Sequence, residues 1–266
     1  MPGPTLFVFL PGLGSQDPTW VKFLSQTLRL AAIDAKMILG ARTPRRGGSF
    51  ARREDADKLI RDLAAGGLRA FVIEKGEFTR KPFVVRAKGM EIRDGGVVFR
   101  PIQIERPAAE LAGSPELYLP KDSVQAFIVG MFVNHRARAV AEGRWIETQV
   151  TSTGEAFLHV YWGSPDGFLE LRHSSFDYTC LAKSARELSG DVNFLSIVQA
   201  LRGLYPGARF DDTLYQRPGD IEIVTSVFPV DWSVGPSMSG MVTASQSATS
   251  EPVSLLAARV VARSIQ

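Results

Sequence analysis

The sequence predicts an α+β fold: a small N-terminal α/β domain over 1–76, a mostly antiparallel β domain over 77–232, a serine-rich linker over 233–250 and a helix over 251–266. Three observations carry this reading. Residues 155–207 join a hairpin pattern to an amphipathic helix pattern. The first 76 residues run strand, helices, loop, helix, strand. Beyond the KGEFTRKP segment, 75–82, the hydrophobic period changes to two, which suits strands with distinct faces.

In chain order, Thr5 to Leu10 is a short buried strand ended by Pro11 and the glycines that follow. Asp17 can cap a helix over 18–30, because Pro18 sits at the first helical position, where its missing N–H costs nothing. A shorter helix runs from Asp34 to Leu39. Residues 41–53 carry Arg42, Arg45, Arg46, Arg52 and Arg53 among glycines and a proline, and are expected to form an exposed loop with a short strand near Phe50. A helix over 52–65 presents Ala56, Leu59, Ile60, Leu63 and Ala64 as one stripe, and Gly66-Gly67 provides its C-terminal cap. Leu68 to Glu74 closes the domain as a strand.

In the second domain, Pro82 to Ala87, Met90 to Arg93 and Val97 to Ile104 read as short strands, with Asp94-Gly95-Gly96 as a hairpin signal. The run Val124 to Val133 is apolar on both faces, as a central strand is, and 134–144 reads as a polar excursion before a strand at Trp145 to Val150. In the hairpin, Phe157, His159 and Tyr161 alternate with Leu158, Val160 and Trp162, one face being buried more deeply than the other. The Ser164-Pro165-Asp166-Gly167 turn leads to a return strand from Phe168 to about Tyr178. Asn193 caps a helix over 193–204 whose Phe194, Ile197, Val198, Leu201 and Leu204 lie on one side. A further strand is expected at Ile221 to Phe228. About seven strands closed by one helix resembles the pleckstrin-homology-like barrel, a resemblance of architecture that carries no function.

Composition narrows the function classes. The 266 residues carry 31 Lys+Arg against 28 Asp+Glu and 45% hydrophobic residues, the balance of a soluble globular chain. A single cysteine, Cys180, permits no internal disulfide and no cysteine-based zinc site. The N-terminal apolar run has no preceding Lys or Arg and is too short for a signal-peptide core, and the longest apolar run is about half of a membrane span, so a cytoplasmic location is expected. Charge is uneven: residues 1–110 hold 19 Lys+Arg against 12 Asp+Glu, and the remainder 12 against 16.

The chemical constellations are incomplete. Residues 7–17, FVFLPGLGSQD, are similar to the oxyanion-hole segment of α/β-hydrolases, a family that also needs a Gly-x-Ser-x-Gly elbow, an acid and a histidine in order. The GPSMSG at 235–240 does not match that spacing and no histidine follows it. If the 163–167 turn pairs its strands, His159 and His173 lie on adjacent strands and share a face with Asp177, a set with the donors of a zinc or iron site. The alternative, half-exposed or hydrogen-bonded strand histidines, is the expected one, and Cys180 is expected as a small buried filler.

No metal, cofactor or catalytic residue is assigned. The leading expectation is a non-catalytic protein-interaction module, an adaptor, regulator or assembly component. Val253, Leu256, Val260 and Ile265 on the C-terminal helix would meet another protein or a sister chain. Two alternatives stand beside it. One is a nucleic-acid-binding protein whose arginines 42, 45, 46, 52 and 53 grip phosphates; the other is an enzyme with a site around His159, His173, Asp177 and Cys180.

Overall fold

The computed structural model describes residues 5–79, 83–105, 116–142, 145–163, 167–182, 186–216, 234–236, 242–246 and 258–264. The fold is mixed α+β, and the chain divides into two compact units, 1–82 with 259–266, and 83–258.

The first unit holds β1 (Leu6–Leu10), α1 (Pro18–Leu28), α2 (Ala32–Gly40), β2 (Arg45–Phe50), α3 (Arg53–Ala65), β3 (Phe71–Glu74) and α4 (Lys75–Thr79). Its sheet is antiparallel with order β2-β1-β3, so β1 is central and all five of its residues are buried. The period of two divides them. Leu6, Val8 and Leu10 pack with Val21, Leu24, Leu39, Leu59 and Leu63 of the helices, while Phe9, of opposite parity, stacks on Phe71 at 5.8 Å.

Local chemistry sets the helix ends. Asp17 accepts a 2.7 Å bond from the Thr19 N–H and so satisfies a donor that α1 leaves open. At the end of α3 the Leu68 N–H reaches the Leu63 carbonyl and the Gly67 N–H reaches Ala64, both at 3.0 Å. Gly67 accepts the left-handed φ of +77° that this double closure requires. Helix α7 (258–264) belongs to this unit from Arg259 onward; Ala258, Val260, Val261 and Ala262 are buried, and Arg263 donates to Glu77 of α4 at 2.9 Å.

The second unit contains β4 (Phe83–Arg93), β5 (Gly96–Glu105), β6 (Leu117–Pro120), β7 (Val124–Glu142), β8 (Trp145–Trp162), β9 (Gly167–Arg172), α5 (Gly190–Leu204), β10 (Arg209–Asp211), α6 (Thr213–Gln216), β11 (Val234–Pro236) and β12 (Val242–Gln246). The sheet order is β11-β12-β7-β8-β9-β4-β5-β6, with β10 parallel to β7 and the β4–β9 contact also parallel. The expected barrel is not formed. The sheet path runs open from β6 to β11, and β7 and β8 continue past the pairing with β9 as a long ribbon, edged by β12 at His135 and Arg136, where a barrel strand would curl back. Helix α5 covers one face, where Phe194, Ile197, Val198 and Leu201 meet Val85, Phe99, Phe127, Leu158, Val160, Leu169 and Leu171. Tyr205 adds a hydroxyl bond to the Leu119 carbonyl at 2.7 Å.

Several expectations change on this scaffold. The short strand expected near Phe50 within 41–53 is β2, which is longer than a loop would allow because Arg45 to Phe50 pair along one edge of β1. The 82–87 and 90–93 strands are one, β4, with a register irregularity at Ala87/Gly89. The polar excursion at 134–144 is strand up to Glu142, since ladder bonds need backbone and not apolar side chains. The return strand stops at Arg172, and two short 3-10 turns, His173–Ser175 and Tyr178–Cys180, follow. Helix α5 starts three residues earlier than expected, and its Asn193 does not cap it. That amide is buried, donating to the Glu187 carbonyl and accepting from the Glu187 N–H, both at 2.8 Å. Part of the serine-rich segment is strand, β11 pairing with β12, and β12 with β7 at Ser245↔Arg136 and Gln246↔His135; the remaining residues of that segment and Ile221 to Phe228 lie outside the described residues.

Candidate functional site

Three groups of residues can be weighed as sites: a polar cluster on the β8–β9–β4 face, the arginines around β2, and a cleft between β2 and the helices.

The polar cluster is set by strand register. His159 pairs with Glu170 across β8 and β9, and β4 runs beside β9 with Arg86 opposite Glu170. Glu170 accepts from Arg172 Nε at 2.7 Å and Arg86 Nε at 2.9 Å through Oε1, and its Oε2 lies 3.3 Å from His159 Nε2. Burial alone would raise the Glu170 pKa, but the hydrogen bonds from His159 and Arg172 and the Arg172 charge outweigh that and hold it at about 2. Burial also holds the His159 pKa below its usual 6.5. The pair is therefore a neutral imidazole, donating from Nε2, and a carboxylate. His159 lies between the Phe168 ring at 4.0 Å and the Phe157 ring at 4.5 Å, is completely buried, and its Nδ1 has no hydrogen-bond partner. A solute cannot reach this imidazole without parting the strands, so the cluster has the make-up of a structural pin and not of a catalytic base. This also corrects the expected asymmetry of the hairpin, since Phe157, His159 and Tyr161 are as buried as Leu158 and Val160.

The anticipated histidine pair is not brought together. His159 faces Glu170, whereas His173 begins the turn after β9 and lies by α5, its Nε2 3.4 Å from Asp191 Oδ1 and its ring 6.0 Å from Phe194. Asp177 is occupied locally, accepting from the Thr179 N–H and hydroxyl, bonds that lower its pKa. Cys180 is half-buried, and burial raises its thiol pKa, the reverse of what a thiolate nucleophile needs. Among the described residues no group of three or more His, Cys, Asp and Glu could hold a metal ion.

The arginines divide. Arg52 makes a two-point bond to Asp55 at 2.8 and 3.0 Å and Arg53 bonds Asp57 at 2.9 Å, so both are matched by the first turns of α3. Arg45 and Arg46 lie on β2, Arg46 exposed, and Arg42 is exposed just before it. They do not converge on a single cradle, because successive strand residues point to opposite faces. Of the residues expected to meet a partner on the C-terminal helix, Val260 is buried within the chain itself; Val253, Leu256 and Ile265 lie outside the described residues.

The third group forms a cleft of about 410 Å³ lined by Thr27 and Leu28 of α1, Gly47 and Phe50 of β2, and Asp55, Lys58, Leu59 and Asp62 of α3. Its floor is Leu28, Phe50 and Leu59, and its rim carries the charged groups. The two glycines make it possible: a Cβ at Gly47 would stand 2.7 Å from Leu10 and one at Gly48 2.8 Å from the Phe50 ring. One wall is the sheet edge, and among the described residues no strand pairs with the outer side of β2. Sequence reading missed this site because Leu28 and Leu59 register as ordinary core positions; two glycines beside the lone aromatic of the arginine segment were the available signal.

No family model, curated protein or solved structure matches the chain.

Proposed function

We propose that the protein is a non-catalytic interaction module that holds a segment of a partner protein in the cleft between α1, β2 and α3. The observation that carries this reading is an apolar-floored cleft directly beside a sheet edge that no described strand occupies. Burying apolar side chains on Leu28, Phe50 and Leu59 gives roughly 25 cal/mol per Å² removed from water, and an open edge adds main-chain hydrogen bonds. Two groups among the described residues agree with such a role: the His159–Glu170 pair is sealed, and burial raises the Cys180 thiol pKa.

A nucleic-acid reading has one observation in its favour, the charge of the first unit, in which residues 1–82 and 259–266 hold 16 Lys+Arg against 8 Asp+Glu. Asp55 and Asp62 on the cleft rim and the local pairing of Arg52 and Arg53 weigh against a phosphate path there.

A photo-crosslinking residue in place of Lys58, expressed in the native host, tests the reading. A defined protein adduct from this position, absent when the same residue replaces Lys121 of the second unit, is the expected result. Adducts to nucleic acid, or none at all, would sink it.

A further inference from the structure

We propose that the occupant of this cleft is an extended segment in which apolar and acidic side chains alternate, added as a fourth strand along the outer side of β2. This rests on the docking reading above and specifies the partner. The register supplies the argument. Leu10↔Arg45, Val8↔Gly48 and Leu6↔Phe50 place Arg45, Gly48 and Phe50 on the helix-covered face of the sheet, because Leu6, Val8 and Leu10 pack against the helices. Phe9↔Arg46 and Phe7↔Ser49 place Arg46 and Ser49 on the opposite face, and both are exposed.

A strand laid beside β2 sends its own side chains alternately to the same two faces. Those on the helix side descend onto Leu28, Phe50 and Leu59 and gain by being apolar. Those on the other side lie beside Arg46 and gain by being acidic, and the excess of 16 basic over 8 acidic residues in the unit attracts such a segment from a distance. The acids of the rim, Asp55 and Asp62, stand on the helix side, away from the acidic positions of the guest.

Other occupants fit less well. A second copy pairing edge to edge would bring two cationic β2 strands together, which an acidic guest strand avoids. A docked helix would leave the backbone groups of the β2 edge to water, whereas a strand uses them.

Fluorescence anisotropy on the full chain at about 0.15 M salt, an ionic strength that screens distant charges, tests this with a labelled nonapeptide of alternating valine and glutamate. The expected affinity is in the range of tens of micromolar, with a valine–lysine peptide and an all-glutamate peptide each at least tenfold weaker. Thr27→Trp, which fills the cleft from its rim, should weaken binding about tenfold, and Arg46→Glu should shift preference to the valine–lysine peptide; circular dichroism checks that both variants stay folded. Equal binding of the all-glutamate peptide, or displacement of the valine–glutamate peptide by an equimolar single-stranded DNA 20-mer, would overturn the proposal. If the Lys58 crosslinker traps a protein while the valine–glutamate peptide does not bind, the docking reading survives and this occupant falls; if both fail, both fall.

Discussion

At the residue scale the His159–Glu170–Arg86–Arg172 cluster has a pH signature. Glu170 is held at about 2 in the fold against an ordinary 4.5, so its contribution is complete above about 4.5 and is lost as pH falls toward 2. His159 is held below 6.5, so the unfolded chain takes up a proton that the fold refuses, and stability falls as pH drops beneath about 6.5. Both effects act in the acid direction, each with a slope of at most about 1.4 kcal/mol per pH unit. His159→Phe, which keeps the ring between Phe157 and Phe168, should remove the limb that begins near 6.5 and, by taking a partner from Glu170, also shrink the limb below 4.5. Urea titrations across pH 2–8 would show this, and an unchanged slope between 5 and 6.5 would refute it. Alternation in 157–162 was legible, but the identity of His159's partner was not, because it depends on a register that places Glu170 and not His173 opposite. Asp17, by contrast, acts within two residues of itself and was readable from its place directly before Pro18.

At the element scale the β7–β8 ribbon is the unusual part. Strands of 19 and 18 residues are about three times the common length, and β9 accompanies β8 only over 157–161. Beyond Phe157 the ribbon runs about 40 Å at ~3.4 Å per residue without β9 beside it, and of its residues past Gly154, Ala156 joins the α5-covered core. Joining Ala137 to Val150, which face each other in the ladder, through an Asn-Gly turn should leave the second unit folded within about 1 kcal/mol. A loss of more than ~3 kcal/mol in chemical denaturation would place the ribbon tip in the core, since losses of that size come from core disruption. The sequence concealed these elements for a physical reason. Helices announce themselves by a local period and caps, as α3 does with its stripe and Gly66-Gly67, whereas Arg136 or Thr151 becomes strand through a cross-strand partner that no local window contains. The same reason explains why β12 was hidden in a serine-rich stretch.

At the scale of the whole molecule the first unit is assembled from two distant stretches of chain, 1–82 and 259–266, with the second unit between them. Helix α7 buries Val260 and Val261 and ties Arg263 to Glu77. Cutting the chain after Thr249 should therefore destabilise the first unit by about 3 kcal/mol, the value of two buried valines at ~1.5 kcal/mol each, while α5 and its sheet face keep their protection. Hydrogen exchange resolved by segment would report both outcomes, and an unaffected β1 would count against the assignment. There is also a consequence in time. Ribosomes add about 5–20 residues per second, so residues 83–258 take roughly 9–35 s to emerge. Throughout that interval the N-terminal segment must wait without α7, and the central unit can complete its own core first. Residues 1–82 therefore leave the ribosome before 83–258 yet complete their unit after it.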